Sequence, residues 1–312
     1  MAHDHHHDHG QDHGHHHHHG HDARHAGRAF AVGIVLNLAF VAVETVYGVL
    51  AHSMALLADA GHNLGDVLAL TLAWGASTLA RRGPSERFTY GLRSSSILVA
   101  LLNAALLLVV TGGIAWEAIN RLATPSPVGS ETVIWVALVG ILINGASAML
   151  FARDRRHDVN MRGAFLHLAA DAAVSLGVVV AGIGILYTGW LWLDPLTGLV
   201  IAVGIVWSTW GLLRDSVALA LNAVPEHIDP RVVRTYLSKL AGVTEVHDLH
   251  IWAMSTTETA LTVHLVIPGG HPGDAFTAEA CKELRERYHV HHSTIQIETG
   301  AQPCELAPDH VV

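Results

Sequence analysis

The chain has 312 residues, of which 51% are AVILMFWYC and 14% are Asp, Glu, Lys or Arg. With a mean hydropathy of +0.36 it is too apolar and too sparsely charged for an ordinary soluble domain, and a membrane protein is expected. A formal charge of −9 leaves no basic surplus for phosphates and disfavours nucleic acid as a partner. The two cysteines, Cys281 and Cys304, cannot build a disulfide scaffold or a Cys-rich zinc finger. Histidine is the anomaly, with 26 residues against 18 Lys plus Arg.

Half of the histidines lie between His3 and His25, in a stretch of His, Asp and Gly with no apolar run. Such a segment cannot bury a core, so residues 1–28 read as a disordered arm. A purification tag would explain His15, His16, His17, His18 and His19 alone, but not the interruptions by Asp4, Asp8, Asp12 and several glycines. From Ala29 onward, six apolar segments of roughly 20 residues, each enough for a helix to cross a bilayer, alternate with short polar breaks. They run about Ala29–Leu50, Ala55–Leu79, Ser95–Ile119, Thr132–Phe151, Ala164–Tyr187 and Pro195–Leu213, within a transmembrane domain spanning residues 29–221.

Basic residues orient these segments. Arg81, Arg82, Arg87 and Arg93 lie between the second and third, and Arg153, Arg155, Arg156 and Arg162 between the fourth and fifth. The other breaks carry only Arg121. Both termini are therefore expected in the cytoplasm. From residue 222 to 300 the pattern becomes that of a small soluble module. Asp229 and Pro230 suit a helix start, followed by Val232, Val233, Tyr236, Leu237 and Leu240 at helical spacing. Strand-like runs Val243–Trp252 and Thr259–Ile267, a helix Ala275–Tyr288 and a strand Thr294–Glu298 complete an αββαβ, α+β order. Residues 301–312 form a tail.

Two apolar segments carry chemistry. The second holds His62 and Asp66 and the fifth His167 and Asp171, each as His-x-x-x-Asp. Residues four apart share one helical face, so each helix presents one imidazole and one carboxylate to the same side. If those faces meet, two imidazoles and two carboxylates converge, a set that suits the tetrahedral coordination of Zn²⁺ and cancels its charge. An Asp at the centre of a membrane helix costs about 2.5–3.5 kcal/mol on insertion scales, and a bound dication would offset that cost. The competing reading is that the carboxyls are protonated or hydrogen-bonded within the bundle and the histidines are satisfied core residues. Metal binding requires deprotonated imidazole, so ion binding would release protons, and reprotonation from the far side would help to expel the ion.

Together, Leu56-Leu57-Ala58-Asp59-Ala60-Gly61-His62 with Asp66, the loop Arg87-Phe88-Thr89-Tyr90-Gly91-Leu92-Arg93, His167 with Asp171, and His247-Asp248-Leu249-His250-Ile251-Trp252 resemble the cation diffusion facilitator family. Within it the chain is most similar to bacterial zinc exporters of the cobalt-zinc-cadmium resistance type, from Phe30 to Glu298. The resemblance implies an all-α six-helix transmembrane domain with a metallochaperone-like cytoplasmic domain, a homodimer in the bacterial inner membrane, and Zn²⁺/H⁺ antiport out of the cytoplasm. It also implies that His62, Asp66, His167 and Asp171 are the transport site and that a His at the first helix-two position goes with zinc preference. Cd²⁺ or Co²⁺ as main substrates remain an alternative, since both accept imidazole and carboxylate.

In the soluble module His247, His250 and His264 lie on the first two strand-like runs. Gln296 and Glu298 alternate with Ile295 and Ile297 on the third. The resemblance implies a regulatory Zn²⁺ site at His247, His264 and Glu298. The family pattern has a His where this sequence has Gln296, and the loop Arg81–Arg93 lacks the His and Asp of a further family site, which is expected to be absent. The alternative is a solvated strand face rich in His. Arg93 and Asp215 match positions of a charge interlock near the dimer contact of relatives, or are ordinary juxtamembrane charges. Of the other polar residues in the helices, Glu44 and Asp59 are stronger candidates for the ion path than Asn37, Asn103 or Asn144, whose commoner use is interhelical bonding.

Readings from other classes fit less well. A membrane metalloenzyme would need an open coordination position and a base such as the Glu of H-E-x-x-H, and that motif is missing from the sequence. A channel would not trap its ion in four ligands. A zinc sensor or buffer would not need ligands inside two membrane helices. The arm, dense in Asp and His, is suited to capturing Zn²⁺ weakly near the entrance. Deleting Met1–His25 is expected to raise the apparent KM for zinc with little loss of maximal rate; unchanged kinetics at low zinc would remove that role.

Overall fold

The computed structural model describes residues 22–151 and 159–307. Six long helices come first: α1 (Asp22–Leu50), α2 (Met54–Ala80), α3 (Ser95–Ala123), α4 (Ser130–Phe151), α5 (Val159–Thr188) and α6 (Leu193–Ala220). All six expected segments are helical. Each helix overruns its apolar segment at one end or both, because backbone hydrogen bonding does not stop where side-chain polarity changes. The overrun at α1 begins at Asp22, inside the segment expected to belong to the arm; Ala23 and Ala26 are strong helix formers there. His15 to His19 and Arg153, Arg155 and Arg156 fall outside the described residues.

Within the described residues, Ser95–Ala123, Ser130–Met149, Phe165–Thr188 and Leu193–Ala220 are long and apolar enough to cross a membrane. The apolar stretch of α1 is shorter, Asn37–Leu50, and α2 carries Asp59, His62 and Asp66 in its interior. The helical domain has the polarity of a body surrounded by hydrocarbon. Trp207, Val109, Trp135 and Trp116 are among its most exposed side chains, whereas Glu44, Asp59, Asn103, Asp171, Ser175 and Asp194 are buried. Lipid is as apolar as a protein core, so only the polar groups need the interior. At the α5–α6 turn Trp190 and Trp192 stack with ring centroids 5.8 Å apart, amphipathic rings of the kind that sit at a membrane boundary.

Helix α2 packs against α1, α3 and α6 and touches α5, while α4 lies along α5. Its first turn is fastened by three other elements. The Ser53 hydroxyl donates to Asp194 Oδ1 at 2.5 Å and accepts from the Leu56 N–H at 3.1 Å. Met54 N–H donates to Asp194 Oδ2 at 2.6 Å and Ala55 N–H to Oδ1 at 3.3 Å. One carboxylate from α6 thus meets donors that the first turn of any helix leaves without intrahelical partners. The close approach requires Gly198, because a Cβ there would lie 2.9 Å from the Met54 carbonyl oxygen. Arg121 of α3 donates to the His52 carbonyl at 2.7 Å, and the Gly129 N–H donates to the Ala51 carbonyl at 2.9 Å. The breaks that lack Arg clusters therefore gather at one end of the bundle.

The C-terminal module lies at the opposite end. It comprises α7 (Pro230–Ser238), β1 (Glu245–Ala253), β2 (Thr259–Val266), α8 (Asp274–Tyr288) and β3 (His292–Glu298), in the expected αββαβ order. Asp229 caps α7 by accepting from the Arg231 N–H at 2.8 Å, with Pro230 following it. The sheet order is β1-β2-β3, antiparallel between the first pair and parallel between the second. Val233, Leu237, Leu261, Val263, Leu265 and Leu284 form the centre of its apolar core. The β1–β2 turn meets the bundle at the start of α3: the Ser94 hydroxyl donates to the Met254 carbonyl, and the Thr256 N–H donates to Ser96 Oγ, both at 3.1 Å.

Asp194→Ala leaves buried N–H groups of α2 without an acceptor. It is expected to destabilise the protein by about 2–4 kcal/mol, read as a fall in the thermal midpoint of the detergent-solubilised protein; a midpoint equal to wild type would contradict the fastening described here.

Candidate metal centre

One helical turn separates His62 from Asp66 on α2 and His167 from Asp171 on α5, and the two faces confront each other. His62 Nε2 lies 3.0 Å from Asp171 Oδ1 and 3.9 Å from Asp66 Oδ2. His167 Nε2 lies 3.4 Å from Asp66 Oδ2 and 3.7 Å from Asp171 Oδ2. Each imidazole therefore faces both carboxylates, and each carboxylate both imidazoles. The rings meet edge to face with centroids 6.3 Å apart. Donor atoms of His62, Asp66 and Asp171 lie within 4.8 Å of one another. The Asp171 side chain is 6% exposed and that of His167 51%, so the group is closed on its α2–α5 side and opens past His167.

Two polar bonds hold this geometry from behind. The Ser175 hydroxyl of α5 donates to Asp59 Oδ2 of α2 at 2.9 Å. Asn63 Nδ2 donates to Glu44 Oε2 of α1 at 2.8 Å. Asp59 is a turn before His62, and Ser175 is a turn after Asp171, so the first bond sits one layer from the tetrad and fixes the α2–α5 register. Glu44 and Asp59 thus serve here as interhelical partners.

A second cluster lies in the C-terminal sheet. His247 of β1 stands opposite His264 of β2, and Glu298 ends β3 beside them. His247 Nε2 lies 3.4 Å from Glu298 Oε2 and His264 Nδ1 lies 3.0 Å from Glu298 Oε1. The register of β1 breaks between His247 and His250, where Asp248 has φ +49°. That irregularity aims Asp248 back at the cluster, with Oδ1 2.8 Å from His250 Nε2 and Oδ2 3.3 Å from His264 Nε2. His250 stands outside the group, bound to Asp248. Gln296 is exposed and donates to Glu298 Oε1 at 2.8 Å. Burial pushes the Glu298 carboxyl up, but hydrogen bonds from Gln296 and Cys304 and the nearby imidazoles outweigh it and leave the group below its ordinary value.

Two participants were not legible as ligands or partners in the sequence. Cys304, in the segment read as a tail, brings Sγ to 3.6 Å from His264 Nδ1, and its donor atom lies within 4.8 Å of those of His247, His264 and Glu298. Glu258 forms the ion pair with Arg93. Arg93 and Asp215 do not pair with each other within the chain: Asp215 instead lies 3.2 Å from Arg214, and Arg93 meets Glu258 of the docked β1–β2 turn.

Comparison with known proteins agrees with this architecture. Residues 30–219 match the family described as the cation efflux transmembrane domain, and residues 225–300 match the cation efflux protein cytoplasmic domain. The chain belongs to the cation efflux family, the cation diffusion facilitators. It is 36% identical over 282 residues to the zinc transporter ZitB of Escherichia coli strain K12, covering 90% of this chain and 88% of that protein. It is 34% identical over 281 residues to the metal cation efflux system protein CzcD of Cupriavidus metallidurans, with the same coverage of each. The cadmium, cobalt and zinc/H(+)-K(+) antiporter of Bacillus subtilis strain 168 is 31% identical over 283 residues, 88% of this chain and 89% of that one.

Ser175→Ala removes the α2–α5 bond to Asp59. Interhelical bonds of this kind contribute about 0.6 kcal/mol on average in membranes and up to about 1.7, and the burial of Asp59 puts this one at the upper end. Detergent or urea unfolding is expected to show a loss of about 1–2 kcal/mol; no loss would mean that Asp59 has another partner of equal strength.

Proposed function

We propose that the protein exports divalent cations from the cytoplasm, Zn²⁺ first among them, in exchange for protons, and that His62, Asp66, His167 and Asp171 hold the ion in transit. The observation that carries this reading is the mutual confrontation of two His-x-x-x-Asp pairs on two packed helices, inside a domain whose outer surface is apolar. Two imidazoles and two carboxylates satisfy a tetrahedral dication and neutralise it. The names of the ZitB and CzcD relatives support zinc and cation efflux, and that of the Bacillus antiporter keeps Cd²⁺ and Co²⁺ as alternative cargo.

Proton exchange follows from the same contacts. With His62 Nε2 3.0 Å from Asp171 Oδ1, a proton between them joins the two groups. An incoming dication needs both the imidazole lone pair and the carboxylate, so it displaces that proton. When protons return from the opposite side they compete for the same atoms and the ion leaves. The half-exposed His167 is the group best placed to swing away, and relative tilting of α2 and α5 would switch access between the two sides.

In this reading residues 29–221 form the transport domain and 222–300 a cytoplasmic domain through which two chains pair as a homodimer, with residues 301–312 as a tail. The protein resides in a bacterial inner membrane with both termini in the cytoplasm, as the Arg-rich breaks favour. His247, His264 and Glu298 suit a resident Zn²⁺ in the cytoplasmic domain. Their fit is supported by His247, 4% exposed, whose ring nitrogens face Glu245 and Glu298 at 3.3 and 3.4 Å without hydrogen-bond geometry. Such a metal would tie three strands together at their edge. Arg93 and Asp215 flank the joint between the domains, and the arm around His15 to His19 would gather ions at the entrance. A membrane zinc sensor or buffer would leave the confronting pairs on α2 and α5 without a purpose.

In proteoliposomes carrying an imposed pH gradient, wild-type protein is expected to move Zn²⁺ against its gradient. Asp66→Ala and Asp171→Ala are each expected to reduce that flux at least about 100-fold, since each removes one of the two charges that answer the dication. Undiminished flux in Asp66→Ala, or flux indifferent to the pH gradient, would overturn the proposal.

A further inference from the structure

We propose that the segment following β3 closes the cytoplasmic cluster into a four-ligand Zn²⁺ site built wholly within one protomer, with Cys304 Sγ as the fourth ligand. The inference rests on the reading of His247, His264 and Glu298 as metal ligands, and it adds a donor, a ligand count and a function for the tail. Sulfur makes the site chemically distinct from the intramembrane tetrad, whose donors are nitrogen and oxygen only.

The distances suit a single ion. In a tetrahedron with bonds of about 2.0–2.3 Å, donor atoms lie roughly 3.3–3.8 Å apart. Here His247 Nε2 and Glu298 Oε2 are 3.4 Å apart, Cys304 Sγ and His264 Nδ1 3.6 Å, and His264 Nδ1 and Glu298 Oε1 3.0 Å. All four residues offer donors within 4.8 Å of one another. A cysteine near a histidine is not by itself a site. The independent observation is His247: it is 4% exposed, its Nδ1 lies 3.3 Å from Glu245 Oε1 and its Nε2 3.4 Å from Glu298 Oε2, and neither contact has the geometry of a hydrogen bond. A buried imidazole whose polar contacts are poorly aligned for hydrogen bonding is better satisfied when a cation takes the lone pair of the nitrogen that faces Glu298.

The surrounding residues prepare the other donors. Asp248 Oδ2, 3.3 Å from His264 Nε2, is placed to accept from an Nε2–H, the tautomer that leaves the Nδ1 lone pair facing Glu298 and Cys304, as a carboxylate does for a metal-binding histidine. The chain reaches Cys304 through a turn that needs glycine. Gly300 has φ +73°, and a Cβ there would come 3.2 Å from Val266 Cγ1, so the backbone bends tightly over the end of β2. The Ile267 N–H donates to the Glu298 carbonyl at 2.7 Å and the Ala307 N–H to the Cys304 carbonyl at 3.2 Å, which holds the segment on both sides of the cysteine.

The charges balance. One carboxylate and one thiolate neutralise the dication, and two neutral imidazoles complete the shell. On binding, the Cys304 thiol loses its proton to solvent as the sulfur–zinc bond forms. With no position left open, the site is structural or regulatory rather than catalytic, and it needs no ligand from a second chain. Ion binding would fasten residues 299–304 across the ends of β1, β2 and β3.

The test uses the protein in detergent with Co²⁺ as probe, in an Asp66→Ala/Asp171→Ala background that also lacks Met1–His25, so that neither the intramembrane tetrad nor the His-rich arm binds the probe. A sulfur-to-cobalt charge-transfer absorption in the near ultraviolet is expected, retained in Cys281→Ser and lost in Cys304→Ser. Losing a mere hydrogen-bonding support costs about 10- to 100-fold in metal affinity, and Cys304→Ser is expected to cost at least that. In the wild-type chain Zn²⁺ should also protect Cys304 from alkylation, located by peptide mass mapping, so the result does not depend on how well the variants fold. Cobalt bound without the sulfur band, with Cys304 alkylated equally with and without zinc, would overturn the role of Cys304 while leaving a three-ligand site. No cobalt bound at all in that background, and no protection in the wild type, would overturn the metal site together with the proposal.

Discussion

Buried charge in an apolar surrounding is the constraint from which the rest of the helical domain follows. A carboxylate inside such a bundle must meet a donor, a cation or water, because hydrocarbon offers none of them. Asp194 meets the Ser53 hydroxyl and the opening N–H groups of α2. Asp59 meets Ser175, Glu44 meets Asn63, and Asp171 meets His62. These contacts join α2 to α6, α5 and α1, so the helix bearing half of the tetrad is held by polar bonds on several sides as well as by apolar packing of Ala55 and Leu56. Small residues let the backbones come close enough for those bonds to form, as Gly198 does against the Met54 carbonyl.

On the proposed reading, the two clusters of metal-type donors would divide the chemistry between themselves. In the bundle the donors come from two helices that touch only locally, one imidazole is half exposed, and every group is one that protons and metal compete for. In the sheet the donors come from adjacent strands fixed by backbone ladders, the histidines are buried, and a sulfur stands among them. A group meant to release its ion is better built the first way. A group meant to retain one is better built the second, because rigid strands and a soft ligand both slow dissociation.

The legibility of these features in the sequence follows their range. The six helices and the αββαβ order could be read because hydrophobic periodicity is local, and α7 could be placed from Asp229 and Pro230 alone. The tetrad could be read because four-residue spacing on a helix fixes a shared face, and it appears twice. What could not be read depends on chain reversal. Cys304 joins His264 only because the backbone bends at Gly300, and nothing in a single cysteine near the terminus signals that bend. Asp248 faces the cluster only because β1 loses its register, whereas strict alternation would have turned it away from His247. Glu258 lies in the β1–β2 turn, and its pairing with Arg93 rests on how the two domains dock. Asp194 looks like an ordinary residue at a helix start, although its partners are 139 to 141 positions earlier.

The fastening at Ser53 also governs how α2 can move. Nine residues separate Ser53 from His62, roughly 13 Å along the helix axis. If the anchored end acts as a pivot, a swing of only about 10° carries the imidazole about 2 Å sideways, which is the length of a metal–nitrogen bond. In the proposed transport cycle such a helix would act as a lever whose short arm spans the difference between gripping an ion and letting it go, with α1 and α5 following it through their bonds to Asn63 and Asp59.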